Sequence, residues 1–207
     1  MTSDAKRKGI LYVVSAPSGA GKTSICREIL KQRPDLHQSV SYTTRPKRAG
    51  EEDGVDYHFV STEVFQEMVN AGDFAEWAEV HGNCYGTTHQ SLQAAAAVGA
   101  DILLDIDFQG AEQLRYSGID GVFIFILPPD MQELRKRLDQ RKTDDERVIA
   151  RRMENASGEI AASINFDYLV VNDTFSEAVA TIRAIMRAEA ARTNRMIGLL
   201  PDEFGLK

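Results

Sequence analysis

The chain has little cysteine: Cys26 and Cys84 are the only two in 207 residues. Two cysteines make no disulfide framework, and their spacing matches no metal-ligand pattern. No apolar run approaches the roughly 18 residues of a membrane span. The first nine residues are polar and basic, without the apolar stretch of a secretory leader. These absences predict a protein of the reducing cytoplasm with no membrane partner. A basic excess is also missing: 24 Lys and Arg stand against 31 Asp and Glu, a formal charge of −7. That argues against broad nucleic-acid binding. Repeats and low-complexity tracts are absent too. What remains is an ordinary globular composition, 43% hydrophobic and 27% charged, long enough for one domain with insertions.

The stretch with the clearest chemistry is Ala16-Pro17-Ser18-Gly19-Ala20-Gly21-Lys22-Thr23. It follows an apolar run at residues 10–14 and opens a helical pattern, the arrangement of a phosphate-binding P-loop. Gly19 and Gly21 permit backbone conformations and a close approach that a side chain would obstruct. The exposed N–H groups and the helix N-terminus then form an anion cradle. Lys22 is expected to reach the β- and γ-phosphates of a nucleotide, and the Thr23 hydroxyl to ligate Mg²⁺. Ala16 stands where the pattern G-x-x-x-x-G-K-[ST] has its first Gly, and as the smallest substitute it is tolerable. The bland alternative is a glycine-rich turn between strand and helix.

Periodicity organises the rest. A helix is expected from Lys22 to Arg33, ended by Pro34, and strands over 38–43, 57–60, 74–80 and 85–88 with a turn at Gly82-Asn83. A helix over 62–70 carries Phe65, Met68 and Val69 on one face, capped by Ser61 or Thr62. An Ala-rich helix over 91–98 stops at Gly99. Residues 102–107 read as a buried strand ending in two carboxylates, 122–127 as a continuous apolar strand, and Pro128-Pro129-Asp130 as the lead into a helix. A strand over 168–171 precedes a helix over 176–191. The alternation predicts an α/β protein, a three-layer α/β/α parallel-sheet core covered on both faces. A small, mostly antiparallel insertion interrupts it. The tail from residue 198 has no strong periodicity.

Asp105, past a hydrophobic strand and about 80 residues beyond the P-loop, is expected to hold Mg²⁺ directly or through water. Arg45, Lys47 and Arg48 read either as a solvated loop or, with Tyr57 and Tyr85, as a clamp on a second phosphate. A third basic cluster spans Arg135-Lys136-Arg137, Arg141, Arg147, Arg151 and Arg152. A helical hairpin so charged has little apolar face to bury. It reads as a mobile lid supplying cations to a transferring phosphoryl group, or else as a charged surface helix pair.

The combination resembles guanylate kinase. The matching stretches are APSGAGKT from Ala16, SVSYTTRPKRAGEEDGVDYHFV from Ser39, FAEW from Phe74, GNCYGT from Gly82 and LLDIDFQG from Leu103. LRKRLDQR from Leu134 and VVND from Val170 extend it, so that the likeness covers residues 8–187. The resemblance implies a P-loop NTPase fold in three parts. The core would be 8–37, 90–133 and 156–190; a GMP-binding insertion 38–89; and a helical lid 134–155, with 191–207 as a tail. It implies transfer of the γ-phosphoryl of ATP to GMP with Mg²⁺ as cofactor. By resemblance Arg45, Arg48, Tyr57 and Tyr85 hold the GMP phosphate, and Ser41, Glu76, Thr87 and Asp107 read guanine, with Glu51 near the nucleotide. Arg137 and Asn172 would contact ATP with the P-loop, and Lys22, Arg45, Arg141 and Arg152 would stabilise transferred charge.

Guanine's N1–H and amino group are donors, so carboxylates suit them, whereas adenine would leave those carboxylates unpaired. The acceptor phosphate is already largely ionised near neutral pH, so no general base is required. Two rivals belong beside this reading: a guanylate-kinase-like scaffold module, which would bind without turnover, and a kinase for another phosphorylated small molecule. ATP and GMP are the implied partners, without nucleic acid, and the amphipathic C-terminal helix is compatible with a homo-oligomer.

Overall fold

Strand β1 (Leu11–Ser15) is buried along its whole length, which is what a run of β-branched and aromatic residues demands at the centre of a sheet. The computed structural model describes residues 8–80, 82–140 and 146–206. A P-loop links β1 to helix α1 (Lys22–Gln32). Then follow β2 (Leu36–Gln38), β3 (Tyr42–Thr43), β4 (His58–Phe59), α2 (Thr62–Ala71), β5 (Phe74–Val80) and β6 (Asn83–Thr88). Next come α3 (His89–Ala97), β7 (Asp101–Asp105), α4 (Phe108–Tyr116), β8 (Val122–Leu127) and α5 (Met131–Gln140). Helix α6 (Glu146–Ala162), β9 (Tyr168–Val171) and α7 (Phe175–Ala190) complete the core.

The main sheet runs β2-β7-β1-β8-β9, and each of its pairings is parallel. One face packs on α1 and α7 through Ile25, Ile29, Val179, Ile182 and Met186. The other packs on α4 through Ala111 and Leu114. Each such buried Val, Ile, Leu or Met side chain contributes about 1.5–3 kcal/mol over its exposed state. The strand order reverses at β1, so the crevice for ligands opens beyond the carboxyl ends of β1 and β7.

A second sheet runs β4-β3-β6-β5 and is mixed. Strands β3 and β4 are parallel, while β6 is antiparallel to both β3 and β5. Phe65 of α2 stacks on Phe74 of β5 with ring centroids 4.5 Å apart. Ser61 caps α2, its hydroxyl accepting from the Val64 N–H.

Three expectations need correction. The strand expected over 38–43 is two strands in different sheets, because the chain crosses from the core to the insertion between Gln38 and Tyr42. The strand expected to reach Asp107 ends at Asp105, and Asp107 instead caps α4, its Oδ1 accepting from the Gly110 N–H at 2.9 Å. Helices α5 and α6 do bury an apolar face: Leu134, Leu138, Ile149 and Ala156 form a small core of their own. Charge dominates their composition, but a stripe at helical spacing suffices. The tail, read as lacking strong periodicity, forms only local 3₁₀ turns among its described residues, at Ile197–Leu199 and Asp202–Phe204. Among the described residues no helix is long and apolar enough to cross a membrane.

Candidate active site

The P-loop is shaped by two left-handed glycines, Gly19 at φ 98° and Gly21 at φ 97°. An L side chain would be strained at either position. Gly21 is the N-cap of α1 and offers no side-chain hydrogen bond, so the first-turn N–H groups stay available to an anion. Lys22 reaches the end of β7. Its Nζ lies 2.7 Å from Asp105 Oδ1 and donates to the Ile106 carbonyl at 2.5 Å. Burial disfavours the ammonium, but the charge and hydrogen bond of Asp105 outweigh it and raise the lysine pKa.

A cleft of about 790 Å³ opens here, within the range of small-molecule sites. The P-loop from Ala16 to Thr23 forms one end. Ser41, Glu76 and Asp107 line the other. Glu76 is 3% exposed, and burial pushes its carboxyl up to about 7, assisted by the charge of Asp107 and opposed by the Thr87 hydroxyl. Thr87 faces Glu76 in the β5–β6 register and is fully buried. Its hydroxyl lies 3.1 Å from that of Ser41. Thr87 therefore sits behind the cleft and orients the two residues that line it.

Beside the main cleft lies a pocket of about 180 Å³ lined by Arg45, Arg48 and Glu51. Thr23, Tyr57, Tyr85 and Asp105 are walls common to both cavities. The Arg45 guanidinium lies over the Tyr57 ring at 5.4 Å, and Tyr57 meets Tyr85 edge-on at 6.0 Å. Glu51 does not face the cavity alone: its Oε1 accepts from Arg45 at 2.7 Å and its Oε2 from the Arg48 N–H at 2.8 Å. The Arg45 hydrogen bond holds the Glu51 carboxyl below its ordinary value. Glu51 thus fixes the guanidinium's orientation.

The remaining predicted residues are placed differently. Asn172 is buried, 5% exposed, and its amide donates to the Ala20 carbonyl of the P-loop at 2.7 Å. The residue assigned to ATP thus touches the phosphate-binding loop itself. Arg137 donates to Glu133 at 2.9 Å and to the Asn172 carbonyl at 3.0 Å, away from the cleft lining. Arg152 lies part-buried on α6 and is not among the cleft-lining residues. Arg141 lies outside the described residues.

Sequence reasoning missed two contributions. Glu154 and Glu159 of α6 line the cleft, and no motif marks them. Burial, with the nearby Asp107 charge, raises the Glu159 carboxyl, while the Ser18 N–H opposes that rise. Gln113 of α4 accepts from the Trp77 N–H at 3.1 Å and donates to the Trp77 carbonyl at 2.7 Å. It pairs with the edge strand next to Glu76 as a neighbouring strand would. An exposed Gln on a helix carries no sequence signal for that role.

Comparison with known proteins gives a consistent result. The guanylate kinase family model matches residues 8–189. The chain is 53% identical over 203 residues to a guanylate kinase of Geobacter metallireducens, covering 97% of this chain and 99% of that protein. It is 57% identical over 191 residues to one of Syntrophotalea carbinolica, covering 92% and 91%. Among solved structures it resembles guanylate kinase from Anaplasma phagocytophilum, with a TM-score of 0.75 at 36% identity over 92% of this chain and 90% of that one. The SH3-kinase fragment of tight junction protein 3 has a TM-score of 0.50 at 12% identity, covering 90% of this chain and 58% of that one, a likeness of fold alone.

Proposed function

This chain belongs to the guanylate kinase family, and we propose that its cleft transfers the γ-phosphoryl group of ATP to GMP, giving ADP and GDP, in the cytoplasm. The observation that carries this reading is the shared wall. A P-loop cleft and a separate Arg45–Tyr57–Tyr85 pocket meet at Thr23 and Asp105. Two phosphate-binding features that share a wall suit transfer between two phosphates better than hydrolysis of one.

ATP would seat its phosphates on the P-loop N–H groups and Lys22. GMP would place its phosphate against Arg45, Arg48, Tyr57 and Tyr85, and its base against Ser41, Glu76 and Asp107. Asp107 Oδ2 accepts from Gln109 Nε2 at 3.1 Å, and a carboxylate oxygen has further acceptor capacity for guanine's N–H groups. Holding the two nucleotides in line supplies the proximity term, and the cations stabilise charge on the transferring group. Arg141 and Arg152 are the arginines we assign to that second task. The divisions of core, insertion at 38–89 and lid at 134–155 follow from the same reading.

Mg²⁺ fits the donor set. Thr23 and Asp105 offer a hydroxyl and a carboxylate on the shared wall. Among the described residues no three His, Cys, Asp or Glu gather into a metal cage. Such a site suits a hard cation held largely by phosphate oxygens and water. When bound, the ion neutralises charge on the β- and γ-phosphates.

The test is ADP production from ATP and Mg²⁺ with GMP, AMP, CMP and UMP as separate acceptors. Turnover with GMP alone is expected. Turnover with another acceptor would retain the kinase and remove the base assignment. GMP binding without turnover would favour a scaffold module.

A further inference from the structure

Asn172 has a buried amide with one contact that matters for the nucleotide: Nδ2 donates to the Ala20 carbonyl across 152 residues of sequence. Its own backbone is held as well, the N–H donating to the Leu127 carbonyl at 2.7 Å at the end of β8. The residue is therefore fixed to the sheet and reaches sideways to the P-loop. A Cβ on Gly21 would come within 2.5 Å of Asn172 Nδ2. The amide thus occupies the space beside the glycine that precedes Lys22.

Helix α5 touches the loop from the other end. A Cβ on Gly19 would meet Leu134 Cδ1 and Leu138 Cδ2 at 3.0 Å. Both leucines are almost fully buried. Between them in sequence, Arg137 donates to the Asn172 carbonyl at 3.0 Å. The P-loop is therefore enclosed by one connected collar: Leu134 and Leu138 on Gly19, and Asn172 on Ala20 and Gly21, with Arg137 joining the two.

We infer that Asn172 is a positioning residue for the nucleotide's phosphates, holding the Ala20 carbonyl and, through Arg137, tying helix α5 to the P-loop. The inference rests on the P-loop being the ATP site, and it assigns Asn172 a task other than base contact. The physical reason is preorganisation. A P-loop must turn its N–H groups inward, so its carbonyls turn outward and need partners of their own. Ala20 finds that partner in Asn172. Without it the loop samples conformations whose N–H groups diverge, and ATP must order them on binding. GMP seats on the insertion, so its binding should not sense the change.

Steady-state kinetics with each substrate varied separately tests this. Asn172→Ala is expected to raise the KM for ATP about tenfold while the KM for GMP stays within twofold. Asn172→Asp, of equal size but without a donor, should be as impaired or worse, because its carboxylate faces a carbonyl oxygen. A purely structural role would lower the melting temperature and the active fraction and leave both KM values unchanged; that result overturns the inference. Should Asn172→Ala fail to fold, Leu138→Val shortens the side chain against Gly19 within an intact helix. It is expected to raise the KM for ATP about threefold, and an unchanged value would overturn the inference equally. Lys22→Ala in the same assay separates the two levels. Lost turnover there, with Asn172→Ala binding ATP normally, sinks the collar and keeps the kinase; retained turnover sinks the P-loop reading itself.

Discussion

Lys22 Nζ and Asp105 Oδ1 form an ion pair at 2.7 Å, at the junction of the two cavities. The ammonium assigned to the phosphates and the carboxylate assigned to Mg²⁺ neutralise each other. On the proposed reading, ATP and its metal ion would offer each a better partner: phosphate oxygens for the lysine and a divalent cation for the aspartate. The pair holds both groups in place, so little reorganisation is needed when the nucleotide arrives.

Replacing Lys22 with Ala should therefore lower kcat by about 10²–10³-fold, the scale for losing one preorganised charge-stabilising donor. Unfolding should remain cooperative, since the residue lies at the site and not in the core. ADP release and a thermal melt check the two halves. Near-normal turnover in a folded variant would remove the P-loop assignment.

With the Glu76 carboxyl pushed up to about 7 by burial, GMP recognition through this residue should depend on pH. Guanine's N–H donors need the ionised form, and the protonated form loses an acceptor. The KM for GMP should rise by up to about tenfold per unit as pH falls below 7. The phosphate of GMP titrates near 6, so inhibition by guanosine, which has no phosphate, isolates the base. Glu76→Gln should abolish this pH dependence and weaken GMP by about 10–10²-fold, as for a lost charged hydrogen bond.

The same burial has an opposite effect on stability. A folded value near 7 against an ordinary 4.5 means that the folded state binds the proton more tightly. Stability is then lost as pH rises from 4.5 through 7, by about 3 kcal/mol in total. Glu76→Gln should melt several degrees above the wild-type protein at pH 8, with the difference shrinking toward pH 5. A variant less stable than wild type at pH 8 would contradict this.

Glu51 grips Arg45 and the Arg48 backbone. Glu51→Gln should raise the KM for GMP about five- to tenfold and leave that for ATP unchanged, as the guanidinium loses its charged partner. Equal effects on both substrates would point to a general loss of fold.

Gln113 bridges α4 to the exposed edge of β5 at Trp77, next to Glu76. Gln113→Ala should raise the KM for GMP about threefold and narrow the preference for GMP over AMP, with ATP unaffected. Trp77's freed backbone groups can turn to water, so the melting temperature should shift little. Unchanged acceptor discrimination would show that the bridge is not needed to aim Glu76.

Local patterning identified most elements, because burial on one face imposes a period that the sequence displays. The apolar strand over 122–127 and the capped helix after Ser61 are of this kind. Helix α4 was harder: Asp107 looks like the end of a strand until its Oδ1 is seen capping Gly110. The break between Gln38 and Tyr42 is likewise invisible to periodicity, since both halves are extended and only their partners differ.

The sequence by itself determined the chemistry available: the glycines and Lys22 of an anion-binding loop, carboxylates able to accept from guanine, arginines able to clamp phosphate. These depend on residue type and short spacing, which the chain carries locally. Only the tertiary structure decided which groups line the cleft and which hold those that do. Thr87 lies behind Ser41 and Glu76, Glu51 turns to Arg45, and Asn172 closes on Ala20 from 152 residues away. Orientation of that sort is set by packing between segments distant in sequence, where buried polar groups must find partners.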